Sequence, residues 1–113
     1  MSVYIKRIYE TVSPDDGYRI LVDRLWPRGM VKEEVQIDEW LKEIAPSSAL
    51  RKWFDHKPEK WASFGERYRA ELYNSSAMAH LMALKRKYKT LTLLYSAKDK
   101  DHNHAIILKE LLQ

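Results

Sequence analysis

Cysteine is absent from the 113 residues. Its absence removes disulfides, thiol nucleophiles and Cys-ligated zinc or iron–sulfur centres together. Glycine is nearly as scarce: Gly17, Gly29 and Gly65 are the whole supply, and no pair of them has the spacing of a phosphate-cradling loop or a dinucleotide fingerprint. The standard devices for nucleotide binding are therefore missing, and no cofactor is expected. No apolar run approaches the ~20 residues of a membrane helix. The start, Met-Ser-Val-Tyr-Ile-Lys-Arg, lacks the charged-then-apolar layout of a secretion signal. A cytoplasmic protein without membrane contact is the expectation. Nor does one sign of charge dominate. Twenty Lys and Arg against sixteen Asp and Glu give +4 and a pI near 9.3, which admits an anionic partner without demanding one.

What is present is enough for one core. Hydrophobic residues make up 45% of the chain, with four Trp and seven Tyr for bulk, and this length is typical of a single domain. Val3 to Tyr9 reads as a strand. Ser13-Pro14-Asp15-Asp16-Gly17 is a turn, and Tyr18 to Leu25 is a second strand whose centre, Ile20-Leu21-Val22, suits burial on both faces. Val35 to Ile44 fits either period: Val35 and Ile37 alternate like a strand, whereas Ile37, Trp40, Leu41 and Ile44 share a helix face. Ser47 or Ser48 caps a helix carrying Leu50, Trp53 and Phe54. Pro58 opens the next, with Trp61, Phe64, Tyr68 and Leu72 as its stripe and Gly65 placed for close packing. Asn74-Ser75-Ser76 caps a third, bearing Ala77, Leu81, Leu84 and Tyr88. Thr90 to Ser96 is a strand, and Asp101 or Asn103 caps a last helix. The order predicts an α/β fold, a single small domain with a mostly parallel sheet of about four strands flanked by helices.

Three segments run from apolar residues into a polar stretch: 21–29, 42–48 and 94–104. A parallel sheet places them along one carboxyl edge, where open α/β sheets bind ligands. The convergent set is Arg24, Arg28, Ser47, Ser48, Lys98, Asn103 and His104, a donor-rich, cationic group suited to phosphate or carboxylate. Ser47 and Ser48 belong to it only if the segment before them is a strand. His104 titrates in the range of a general acid or base, and Asp23 or Asp99 is placed to orient it. Trp26 can stack on a planar ligand or on Arg28. Each residue also has a structural reading. Asp23 and Arg24, adjacent on a strand, would face opposite sides and join separate ion pairs. Ser47, Ser48 and Asn103 need nothing beyond capping, Arg28 would satisfy loop carbonyls, and His104 shares a stripe with Ile107, Leu108 and Leu111.

Histidine spacing does not favour a metal. His102 and His104 diverge on a helix and HExxH is absent. Lys85-Arg86-Lys87 with Lys89 is the densest basic run. With Lys57, Lys60, Arg67 and Arg69 it forms a candidate nucleic-acid face, though no stacking platform or helix-turn-helix accompanies it.

Gly17-Tyr18-Arg19, Val22 to Gly29, Trp40-Leu41-Lys42-Glu43, Ala45-Pro46-Ser47 and Leu50-Arg51-Lys52-Trp53-Phe54 form a pattern. It continues through Trp61, Phe64, Tyr68, Glu71-Leu72, Thr92-Leu93-Leu94-Tyr95, Lys98-Asp99 and Asn103-His104-Ala105. Nearly end to end, this resembles the YeaO-like family, a bacterial and archaeal domain of unknown function. The resemblance implies an α/β fold and names no activity. Relatives in the wider superfamily carry Cys-His-Arg where this chain has Asn103-His104-Ala105, and a cysteine at the position of Tyr95, so His104 alone carries over and thiol chemistry does not. The leading expectation is a site for a small anionic ligand, a phosphate-bearing metabolite, held by Arg24, Arg28, Lys98 and His104. If a reaction occurs there, His104 with Asp23 is its acid/base. Two other classes stand beside it: a nucleic-acid-binding module on the basic helical face, and an interaction domain using Trp40 or Trp53. Whether the chain is an enzyme, its substrate and its oligomeric state are not legible.

Overall fold

The computed structural model describes residues 2–113. Four strands, β1 (Ser2–Arg7), β2 (Tyr18–Leu21), β3 (Glu39–Trp40) and β4 (Thr90–Tyr95), form one all-parallel sheet in the order β1-β4-β2-β3. The helices are α1 (Lys32–Val35), α2 (Ser48–Phe54), α3 (Trp61–Leu72), α4 (Ser76–Lys87) and α5 (His104–Leu112). The α/β architecture expected from the sequence is the one found.

Period-two alternation decides which side chain meets which layer. Ile20, Val22, Leu91 and Leu93 point to the face covered by helices, where they pack with Phe54, Phe64, Tyr68, Leu81, Ile107 and Leu108. Leu21 and Leu94 point the other way, into a smaller cluster with Ile8 and Val35, backed by Trp26, Met30, Ile37 and Trp40. One face of the sheet thus carries helices, and the other is closed largely by the 22–37 segment.

Several boundaries differ from the sequence reading. The first strand stops at Arg7 and the second at Leu21, so Asp23 and Arg24 lie in the loop beyond the strand, not within it. The ambiguous 35–44 stretch is neither one helix nor one strand. Val35 ends α1, Gln36 turns the chain at φ 48°, Glu39–Trp40 pair with β2, and Lys42–Ile44 form a 3-10 turn. Tyr88 does not extend α4; it leaves the helix and stacks on Tyr18 at 4.1 Å.

The turn at 13–17 matches its chemistry. Ser13 caps a 3-10 turn over Pro14–Asp16. Gly17 then takes φ 67°, and a Cβ there would stand 2.3 Å from the Thr90 carbonyl oxygen. Asp16 anchors this end of the sheet: it is buried, paired with Arg19, and 3.1 Å from Lys6 Nζ. Arg19 also donates to the carbonyls of Val35 and Gln36, both at 2.9 Å.

Candidate functional site

Because all four strands are parallel, their carboxyl ends share one edge. From β2 the chain moves outward to β3, whereas from β4 it turns into α5, which packs over β1 and β4. Such a divergence between adjacent strands opens a crevice where ligands of this fold class sit. The residues brought there are Asp23 and Arg24 after β2, Ser96 after β4, Asn103 and His104 at the start of α5, and Ala45 to Ser47 entering α2.

His104 is largely buried, with its Nε2 2.9 Å from the Val22 carbonyl oxygen and 3.3 Å from Asp23 Oδ1. A carbonyl only accepts, so Nε2 carries the hydrogen and Nδ1 holds the lone pair of the neutral ring. Burial pulls the His104 pKa below 6.5. The Asp23 carboxylate and the Val22 carbonyl oppose that pull, and the Arg51 charge adds to it. Asp23 is fixed from its other oxygen, Oδ2, which accepts from the Ser96 N–H at 2.9 Å and the Ser96 hydroxyl at 2.6 Å. Tyr68 meets the His104 ring edge-on at 6.1 Å and donates its hydroxyl to the Ile44 carbonyl at 2.6 Å. Burial pushes the Tyr68 hydroxyl well above its ordinary value, so it stays protonated.

Arg24 completes the group. Its Nη2 donates to the Ala45 carbonyl at 3.1 Å, while its Nε is buried with no partner, alone in this among the side-chain nitrogens and oxygens of the described residues. Ser47 caps α2 by accepting from the Leu50 N–H, and its hydroxyl donates to Glu71 at 2.5 Å. Asn103 is buried as the cap of α5: it accepts from Ile106 N–H at 3.2 Å and donates to the Asp99 carbonyl at 3.0 Å.

Among the other residues singled out in the sequence, Ser48, Lys98, Arg28 and Trp26 make no side-chain hydrogen bond to this group. Ser48 is the exposed first residue of α2, and Lys98 lies exposed on the loop after β4. Arg28 is exposed, its carbonyl 3.4 Å from the Tyr9 hydroxyl. Trp26 turns to the opposite face of the sheet, where its indole meets Trp40 at 5.4 Å. Two residues escaped the sequence reading. Arg7, at the end of β1, holds the loop after β4 by donating to the carbonyls of Ala97 and Ser96. Arg51, on α2, acts on His104 through its charge. Arg7 belongs to no motif, and Arg51 lies in the 50–54 family pattern without having been read as a site residue; strand pairing and helix packing bring them in.

Three of the basic helical residues, Lys60, Arg67 and Arg69, have internal partners. Lys60 and Arg67 lie over the Trp53 ring at 4.7 and 4.1 Å, so that ring is covered by cations and not bare. Arg69 pairs with Glu110 at 2.6 Å. His102 pairs with Asp99 at 2.9 Å while His104 faces Val22, so the two histidines do not converge. A depression of about 360 Å³ lies away from the His104 group, lined by Trp26, Lys32, Ile37, Asp38, Glu39 and Trp40. No helix among the described residues is long and apolar enough to cross a membrane.

A family model described as the inactive DUF488-N3 subclade matches residues 2–113. Among curated proteins, the uncharacterized protein YeaO of Escherichia coli strain K12 is 47% identical over 113 residues, covering 100% of this chain and 98% of that protein. The uncharacterized protein Rv3073c of Mycobacterium tuberculosis strain H37Rv is 40% identical over 110 residues, covering 97% and 92% respectively. No solved structure gives a significant match.

Proposed function

This chain belongs to the inactive DUF488-N3 subclade, and from that premise we propose that it is a binding domain rather than a catalyst, taking a small anionic group at the carboxyl edge of its sheet. The observation that carries the reading is the buried Arg24 Nε without a partner. Buried donors are almost always satisfied, and a guanidinium is best satisfied by a carboxylate or phosphate oxygen. Arg51 adds positive charge near enough to act on His104.

The same geometry argues against proton transfer. The Nε2 hydrogen of His104 is held by the Val22 carbonyl, and burial disfavours the charged ring. Asp23 is committed to Ser96. These groups hold two loops to a helix, a role that agrees with the family's description as inactive. The Arg24 group lies apart from the depression at β3, and one buried Nε suits a single phosphate or carboxylate group more than a whole metabolite.

Thermal unfolding with inorganic phosphate, acetate, phosphomonoesters and short oligonucleotides tests this. A ligand at 100 times its Kd adds about 2.7 kcal/mol, a shift of several degrees in a domain of this size. Phosphate or a phosphomonoester is expected to raise the midpoint of the wild type but not of Arg24→Met, each protein judged against its own ligand-free midpoint. Lys85→Ala and Lys87→Ala should keep the full shift. A shift retained in Arg24→Met, or none with any anion, sinks the proposal. Stabilisation by oligonucleotides alone, lost in moderate salt, moves the function to the basic end of α4.

A further inference from the structure

We propose that the open edge of β3 docks an extended basic peptide segment of a partner protein, which pairs its backbone with Trp40 and lays an arginine or lysine against Trp26. This rests on a different part of the molecule from the Arg24 site and stands or falls separately.

The first observation is the edge itself. β3 is the last strand in the sheet order, paired only with β2 among the described strands. In a parallel ladder alternate residues of a strand bond the same neighbour. Leu41 N–H donates to the Leu21 carbonyl at 2.9 Å, and with the register Ile20↔Glu39 and Leu21↔Trp40 this gives β2 the backbone groups of Glu39 and Leu41. Trp40 is therefore the residue whose N–H and C=O face outward, the template that β-strand addition uses.

The second is the groove. Asp38, Glu39 and Trp40 all line the 360 Å³ depression although successive strand side chains point to opposite faces, so it runs along the edge, with Trp26, Ile37 and Lys32 as its other wall. The two indoles stand 5.4 Å apart at 67°. Both indole N–H groups are already spent, Trp26 on the Met30 carbonyl at 2.8 Å and Trp40 on the Asp23 carbonyl at 2.7 Å. Lys42 Nζ already stands 5.1 Å from the Trp40 ring centre, in the place a cation takes. The Trp26 ring still offers a π face.

Charge selects the occupant. Residues 32–43 hold five carboxylates (Glu33, Glu34, Asp38, Glu39 and Glu43) against Lys32 and Lys42, in a chain whose net charge is +4. Asp38 and Glu39 line the groove against Lys32, and the stretch as a whole, acidic on a basic molecule, complements a basic segment. It also opposes the β3 edge of a second copy, which would bring the same carboxylates face to face. Two exposed apolar residues, Leu25 and Val31, flank the lining residues in the chain and offer contact to the aliphatic positions of the incoming strand.

The experiment uses the full chain and a fluorescein-labelled hexapeptide alternating valine and arginine. Comparators carry glutamate for arginine, or N-methylated amides that keep the charge and remove the donors. Anisotropy reports affinity, and the amide resonance of Trp40 reports place. Saturable binding of the arginine peptide is expected, with the Trp40 amide shifted and both comparators at least about tenfold weaker. Trp26→Ala should weaken it about tenfold, and Lys32→Glu, which leaves the core untouched, should tighten it. Failure of the arginine peptide to saturate overturns the proposal. So does equal affinity for the glutamate or N-methylated peptide, or binding that leaves Trp40 unshifted. Concentration-dependent growth in sedimentation, abolished by charge reversal in β1, would instead assign the edge to a second copy.

Discussion

At His104 a single ring shows how burial converts a reactive side chain into a fastener. The imidazole enters the protein neutral because desolvation lowers its pKa beneath 6.5, with Asp23 too weak a counterweight to restore it. The unfolded chain therefore takes up this proton more readily than the folded one. Stability from this site is complete above 6.5 and declines as pH falls through the window below it, toward the lowered folded value. Asp16 works at a more acidic pH. Burial alone would raise its carboxyl, but the Ser13 N–H, Lys6 and Arg19 together hold it below 3.8. Its share is kept above 3.8 and lost only as pH drops through the depressed folded pKa. Urea midpoints measured across pH should thus fall in two stages. In His104→Gln, whose amide can still donate to the Val22 carbonyl, the decline below pH 6.5 should flatten while the acid limb stays. An unchanged upper limb in that variant would show that His104 is not the group responsible.

Among the elements, helix starts were the most legible part of this sequence and strand ends the least. Ser47, Ser75 and Asn103 each accept from an N–H three residues on, so the whole signal lies within one turn. At 35–44 the periodicity was ambiguous because the chain changes conformation three times in ten residues, beginning at Gln36 with its left-handed φ of 48°. Glutamine carries no composition signal for that. β2 stops early because Asp23, just beyond it, is fixed from Ser96, 73 positions away. The candidate site was partly readable for the same reason. The parallel topology brought Asp23, Arg24 and His104 to one edge as expected, but the bonds from Arg24 to Ala45 and from His104 to Val22 span 21 and 82 positions and leave no local trace. The α5 cap is where local and long-range demands meet, since Asn103 both accepts from the helix and donates to the Asp99 carbonyl. Replacing it with Ala should cost about 1–2 kcal/mol. Asn103→Asp should recover the cap and not the second bond, landing between the two in chemical denaturation.

For the molecule as a whole, the order β1-β4-β2-β3 puts the last strand of the chain at the centre of the sheet. β4 pairs with β1 along six residues and with β2 along four, and Leu91 to Tyr95 are buried. No part of the sheet can form around it until residues 90–95 have been made and returned to residue 2. Native order therefore depends on non-local closure, and protection should fall from the centre outward. Amides of Leu91 to Leu94 should exchange with deuterium only when the whole domain opens, at free energies equal to global stability from denaturation. Trp40 N–H, which faces the open edge of a two-residue strand, should exchange through local opening several kcal/mol cheaper than the global value. β1, an edge strand three times as long as β3, should fall between. The opposite pattern, a Trp40 amide as slow as β4, would mean that the β3 edge is already covered in solution. That would remove the basis for a docking segment there and point to self-association, which the same exchange measurement repeated over a range of protein concentrations would detect.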